Sequence, residues 1–163
     1  MAAAEIREYE TGDAAELREC YVELQDDERL LDPHLRDGQS SAEEYLGYMF
    51  RRCSETEGKV FVAEAGGSVV GFVSIWAKIL SRAIEEEEYE YAYVSDLVVL
   101  RAHRGRGLGR ALLGKAEEYA AQRGAKLVRI NVHARNGAAR GLYESFGFRE
   151  RVIELSKSLP GAR

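Results

Sequence analysis

The chain has 163 residues, of which 45% are hydrophobic and 31% charged, and it carries a formal net charge of -5. A chain of that size buries about 70% of its extended surface around one core, so one domain over residues 1–163 is expected and a disordered or fibrous protein is not. The acidic balance argues against a general nucleic-acid binder, which needs a basic face to neutralise phosphates.

Met1-Ala2-Ala3-Ala4-Glu5 lacks a basic stretch leading into an apolar run, and nowhere do about 18 apolar residues follow one another, so no membrane contact is expected. Ile6 to Tyr9 predicts a short strand. Asp13 and Glu16 have capping-box spacing, and Leu17, Cys20, Tyr21 and Leu24 then share one helical face opposite Glu16, Arg18, Glu19 and Glu23. Asp26 to Gln39, with Pro33 and Gly38, predicts an irregular connection. A second capping box at Ser41 to Glu44 opens a helix carrying Tyr45, Tyr48, Met49 and Arg52 as far as about Ser54.

Lys59 to Ala65 and Ser68 to Leu80 are β-rich runs joined by Gly66-Gly67, a hairpin signal. Acidic Glu85 to Glu88 interrupts, and Tyr89 to Leu100 resumes as a long strand. From Leu108 the residues Ala111, Leu112, Ala116, Tyr119 and Ala120 form a helical face that Gly124 closes. Leu127 to Val132 predicts a strand, Asn136 caps a helix ending at Gly147, and a last strand is expected from Phe148 to about Lys157. The order β-α-α-β-β-β-α-β-α-β implies an α/β fold with a mixed sheet. The two cysteines, Cys20 and Cys53, have neither a disulfide framework nor ligand spacing, which fits a reducing, cytoplasmic setting. His34, His103 and His133 do not cluster, so no metal is expected.

Chemistry concentrates where the long strand ends, at Arg104-Gly105-Arg106-Gly107-Leu108-Gly109-Arg110. Alternating glycines remove the Cβ atoms that keep a ligand from the backbone, so successive N–H groups can face one anion at a helix N-terminus. No Asp or Glu occurs from Leu97 to Ala116, whereas Arg101, Arg104, Arg106, Arg110 and Lys115 do. The dinucleotide fingerprint fails because Leu112 stands where its last glycine belongs. The P-loop pattern fails because Ala116 follows Gly109 to Lys115 in place of the Ser or Thr that holds magnesium.

Arg104-x-x-Gly107-x-Gly109 after a hydrophobic strand resembles the acyl-CoA signature of the GNAT N-acetyltransferase superfamily. Asn136-x-x-Ala139-x-x-Leu142-Tyr143-x-x-x-Gly147-Phe148 is similar to that superfamily's downstream segment. The resemblance implies the GNAT fold and transfer of an acetyl group from acetyl-CoA to a primary amine by direct attack. It implies acetyl-CoA on Leu97, Val98 and Val99 through its pantetheine arm, and on Arg104, Gly105, Arg106, Gly107, Leu108, Gly109, Arg110 and Asn136. Tyr143 matches the superfamily's general acid. Many relatives carry a Glu as base where this chain has Asn131, so Asp96 is the first candidate base and Glu90 the second. The resemblance also places Glu85 to Glu90 and the acids Asp26, Asp27, Glu28, Asp32 and Asp37 around the acceptor, which implies a cationic amine such as a polyamine, aminoglycoside or lysine-like group. Homodimers are common in the superfamily, and the short last strand suggests a partner at the sheet edge. The alternative reading is a catalytically silent CoA-sensing or protein-interaction module.

Overall fold

The structure, a computed structural model, describes residues 4–160. Strand β1 (Glu5–Glu8) leads into helices α1 (Ala14–Arg29) and α2 (Gly38–Glu55). Next come β2 (Lys59–Ala65), β3 (Ser68–Leu80) and β4 (Glu90–Val99), then α3 (Leu108–Gln122), β5 (Val128–Ile130) and α4 (Gly137–Phe146). The sheet order is β1-β2-β3-β4-β5, antiparallel throughout except for the parallel β4–β5 pair.

The strands separate two cores by simple alternation. Val60, Val62, Phe72 and Val98 pack with Leu17, Cys20 and Tyr21 of α1 and with Ala42, Met49 and Cys53 of α2. Phe61, Ala63, Val73, Ile75, Ala92 and Val94 pack on the other face with Leu112, Leu113, Ala116 and Ala120 of α3 and Tyr143 of α4. The Gly66-Gly67 hairpin forms as expected, with both glycines at positive φ (62° and 82°).

A bulge in β4 positions everything that follows. Ser74 of β3 faces Asp96 and Ile75 faces Val94, so Ser95 has no partner on β3. One extra residue reverses the alternation. Before the bulge Ala92 and Val94 lie in the α3 and α4 core, and beyond it Leu97 and Val99 do, while Val98 turns to α1 and α2. The pairing of β4 with β5 stops at Val94 and Ile130, so β4 runs on to Val99 with that side open.

Several local expectations differ from the structure. Asp13 does not cap α1 with its side chain, because its carboxylate already accepts from the Glu10 N–H and from Arg7 (each 2.8 Å), and Glu16 instead accepts from the Val69 N–H (2.9 Å). Helix α2 starts before the predicted Ser41 box, since the Asp37 side chain accepts from the Ser40 N–H (2.9 Å). Helix α1 runs on to Arg29, which shortens the irregular connection to residues 30–37. The strand expected from Phe148 is not formed among the described residues. Strand β5 offers only three paired residues as a template, and Val152, Ile153, Leu155 and Leu159 stay exposed.

Candidate active site

The glycine loop begins as the chain leaves β4 through a single turn at Arg101–His103. Gly105 and Gly107 have φ of 75° and 82°, a region that L side chains enter only at a cost of about 1–2 kcal/mol. A Cβ at either would meet nothing within 4 Å, so the space before these amides is open to a ligand. Gly109 serves a different purpose: its Cβ would stand 3.3 Å from Leu142 Cδ2, so the missing side chain lets α3 approach α4. The first bond of α3 runs from the Ala111 N–H to the Gly107 carbonyl, and the N–H groups of the first turn before it have no partner within the helix. These amides and the positive helix end are the features that an anion cradle needs.

The arginines divide their work. Arg104 Nε donates to the Val99 carbonyl (2.8 Å), and its Nη2 reaches Asp27 (2.8 Å) and Glu23 (3.2 Å) of α1. Arg101 pairs with Asp27 as well. Arg110 donates to Ser145 Oγ (2.6 Å) and lies over the Phe146 ring, while Arg106 reaches only the Ala102 carbonyl (3.3 Å). Arg104 therefore ties the loop to β4 and α1, where the sequence suggested direct anion contact.

Leu100 donates its N–H to Val70 of β3. By the alternation of an antiparallel ladder, Leu97 and Val99 turn their backbone groups to the open side of β4. Val98 lies between them with its side chain in the α1 and α2 core. Asn136 caps α4 by accepting from the Ala139 N–H (3.1 Å).

The opening leads to a cavity of about 870 Å³ whose walls include Tyr21, Glu28, Tyr45, Asp96, Asn131 and Tyr143. The bulge turns Asp96 toward α2, where Tyr45 donates to Oδ1 (2.8 Å) while Ser95 donates to Oδ2 (2.7 Å). Burial raises the Asp96 pKa above the usual carboxylate range even though both hydrogen bonds oppose it. Tyr143 reaches the same cavity from α4, where Gly147 (φ 105°) ends the helix and brings Phe148 against the tyrosine ring (centroids 5.9 Å apart). Burial pushes the Tyr143 phenol up to about 12, with Glu28 and Asp96 adding to the effect.

Most of the predicted acidic wall is employed elsewhere. Asp26 accepts from the Gly38 N–H (2.7 Å), Asp27 holds Arg101 and Arg104, Asp32 accepts from the His34 N–H (3.0 Å), and Asp37 caps α2. Glu86 binds Ser81, Tyr89 and Arg151, and Glu90, the second candidate base, is exposed at the start of β4 and outside the cavity. Glu28 is the one acid of those runs that lines the cavity. Its position was readable from spacing: Leu17, Tyr21, Leu24 and Glu28 follow steps of four, three and four along one face of α1.

The family described as acetyltransferase (GNAT) matches residues 13–148. An uncharacterized N-acetyltransferase of Methanocaldococcus jannaschii is 35% identical over 109 residues, 67% of this chain and 46% of the relative, so the chain spans less than half of that relative's length. Another from Archaeoglobus fulgidus is 33% identical over 144 residues, 86% of this chain and 90% of the relative. Among solved structures, a point mutant of a Bacillus halodurans protein is similar in fold, with a TM-score of 0.80 at 20% identity over 95% of this chain and 99% of that one.

Proposed function

The chain belongs to the acetyltransferase (GNAT) family, and on that premise we propose that it transfers an acetyl group from acetyl-CoA to a primary amine. The observation that carries this reading is the continuity of three features. The loop amides at Gly105 to Arg110 follow the end of β4, whose Leu97 and Val99 lie beyond its last pair with β5, and Leu97 also lines the cavity that holds Tyr143.

Acetyl-CoA supplies an activated acyl carbon and a thiolate leaving group. The cradle amides and the positive end of α3 fit its diphosphate, and Arg106 and Arg110 of the same loop carry no carboxylate partner. The backbone of Leu97 and the Val99 N–H suit the amides of the pantetheine arm, which pair as an added strand does, while Arg104 holds the Val99 carbonyl. In the transfer itself the amine nitrogen bonds to the acyl carbon and the carbon–sulfur bond breaks. Tyr143 gives its phenolic proton to the departing sulfur, and the proton lost by the new amide nitrogen restores the phenol. With a pKa near 12 the phenol remains protonated at neutral pH.

The acceptor enters as a cation and must lose a proton before it attacks, and the carboxylates of Glu28 and Asp96 in the cavity support a cationic amine. Two buried free cysteines, Cys20 and Cys53, support a cytoplasmic setting. Support for a second copy of this chain at the sheet edge comes from exposed Leu127 and Val132 flanking β5 and from exposed Ile153, Leu155 and Leu159, which recur at even spacing in the tail after α4.

Thiol release with acetyl-CoA and a panel of polyamines, aminoglycosides and lysine peptides tests the reading. Release with at least one amine is the expected result. Calorimetric binding of CoA without release from any amine would favour the silent sensor instead.

A further inference from the structure

We propose that Glu28 takes the proton of the acceptor amine, so that α1 provides the base and β4 does not. The role rests on the transferase reading above. Glu28 lies on the last turn of α1, on the face that buries Leu17 and Tyr21, and it reaches the cavity shared with Tyr143 and Asp96. Its carboxylate makes no hydrogen bond or ion pair with another described side chain, so its lone pairs are free for an incoming ammonium group.

Asp96 is differently placed. Each of its oxygens already holds a donor, Tyr45 on one and Ser95 on the other. Both donors favour its charged form, and the pair of bonds uses Asp96 to hold Tyr45 against the bulge. Asp96 is therefore a positioning residue, and Glu28 is the carboxylate left available. The titratable groups that line the cavity with Glu28 or act on it are Asp96 from β4, Glu44, Tyr45, Tyr48 and Arg51 from α2, Tyr21 from its own helix, Tyr143 from α4, His133 from the segment after β5, and His34 with Arg36 from the α1–α2 connection. Arg36 is already engaged by Glu44 (2.8 Å). Burial raises the Glu28 pKa and His133 partly offsets it, which makes the carboxylate a stronger proton acceptor than an exposed glutamate.

The protons balance with no further reactant. The ammonium gives one proton to Glu28, which later releases it to water. The neutral amine then forms the nitrogen–carbon bond, and the second proton it sheds replaces the one that Tyr143 gave to sulfur.

The test measures thiol release against pH for wild type, Glu28→Gln, Glu28→Asp and Asp96→Asn, using the best amine of the panel, together with CoA affinity by calorimetry. Glu28→Gln is expected to lower kcat about 100-fold or more and to abolish the acid limb of the kcat/KM profile, with CoA affinity unchanged. Glu28→Asp should recover part of the rate. Asp96→Asn should retain the acid limb. A Glu28→Gln enzyme with wild-type kcat, or with only a raised KM, overturns the assignment, as does loss of the acid limb in Asp96→Asn alone. Wild-type protein that releases no thiol with any amine overturns the transferase reading and this assignment together, whereas an active Glu28→Gln enzyme overturns this assignment only.

Discussion

Tyr45 donates a 2.8 Å hydrogen bond to Asp96 and thereby joins the middle of α2 to the bulge of β4. Both groups are withdrawn from water, and burial raises the pKa of each, with the carboxylate also raising that of the phenol.

The elevated pKa of Asp96 has a consequence for stability. The folded chain holds the Asp96 proton at a pH where the unfolded chain has released it. That contribution is complete below the usual carboxylate range and is lost as pH rises through the folded pKa, by about 1.4 kcal/mol for each tenfold difference in proton affinity. Asn does not titrate. The melting temperature of Asp96→Asn relative to wild type should therefore climb as pH rises from about 4, and thermal unfolding over a pH series should show it. A difference independent of pH would contradict the assignment.

At the cradle, Gly107→Ala forces a side chain into φ of 82°, although its Cβ would meet no atom within 4 Å. Denaturant unfolding should show a loss of about 1–2 kcal/mol, and calorimetry should show weakened CoA binding as the methyl group occupies the ligand's space. Gly109→Ala acts otherwise. Its methyl presses on Leu142 at 3.3 Å, so its effect should fall mainly on stability.

Tyr143→Phe removes the phenolic proton and keeps the ring against Phe148. Turnover should fall about 100-fold or more while calorimetric CoA affinity stays at the wild-type value. Because the phenol titrates near 12, wild-type turnover should show no alkaline loss from this residue up to about pH 10. Undiminished turnover in Tyr143→Phe would remove the residue from the acid role.

If a second copy covers the sheet edge, light scattering on the eluting protein should give twice the chain mass. Ile153→Asp or Leu155→Asp, each at an exposed apolar position of the tail, should shift it to one chain. A wild-type protein that elutes with the mass of one chain at high concentration would rule this arrangement out.

Signals carried by neighbouring residues were legible in the sequence. The β2–β3 hairpin and both of its strands follow from alternation and Gly66-Gly67. The ends of α4 follow from Asn136 and Gly147, and the cradle follows from Gly105 and Gly107, because backbone conformation at those sites depends on the local residues. The same local reasoning placed the start of α1 but misread its capping bonds, and it misplaced the start of α2, where distant or competing partners claimed Asp13, Glu16 and Ser41. The place of Tyr143 on α4 was legible as well, whereas its role as acid came from the family resemblance.

Long-range geometry decided the rest. Nothing in Val94-Ser95-Asp96 announces that Ser95 is left without a partner, yet that one extra residue turns Asp96 toward Tyr45 and reverses the exposure of Leu97 and Val99. Charge runs read alike in sequence whether they face a cavity or bind arginines, and only packing separated Glu28 in the cavity from Asp27 on Arg101 and Arg104. Local sequence was enough for the elements as far as α4 and for the left-handed glycines of the loop, since both depend on the conformations that neighbouring residues allow, but not for the last strand, which needed a longer partner than β5 offers. Packing set which carboxylate lies unbonded in the cavity and which meets a tyrosine, because burial and hydrogen-bond partners arise only when residues distant in the chain are brought together.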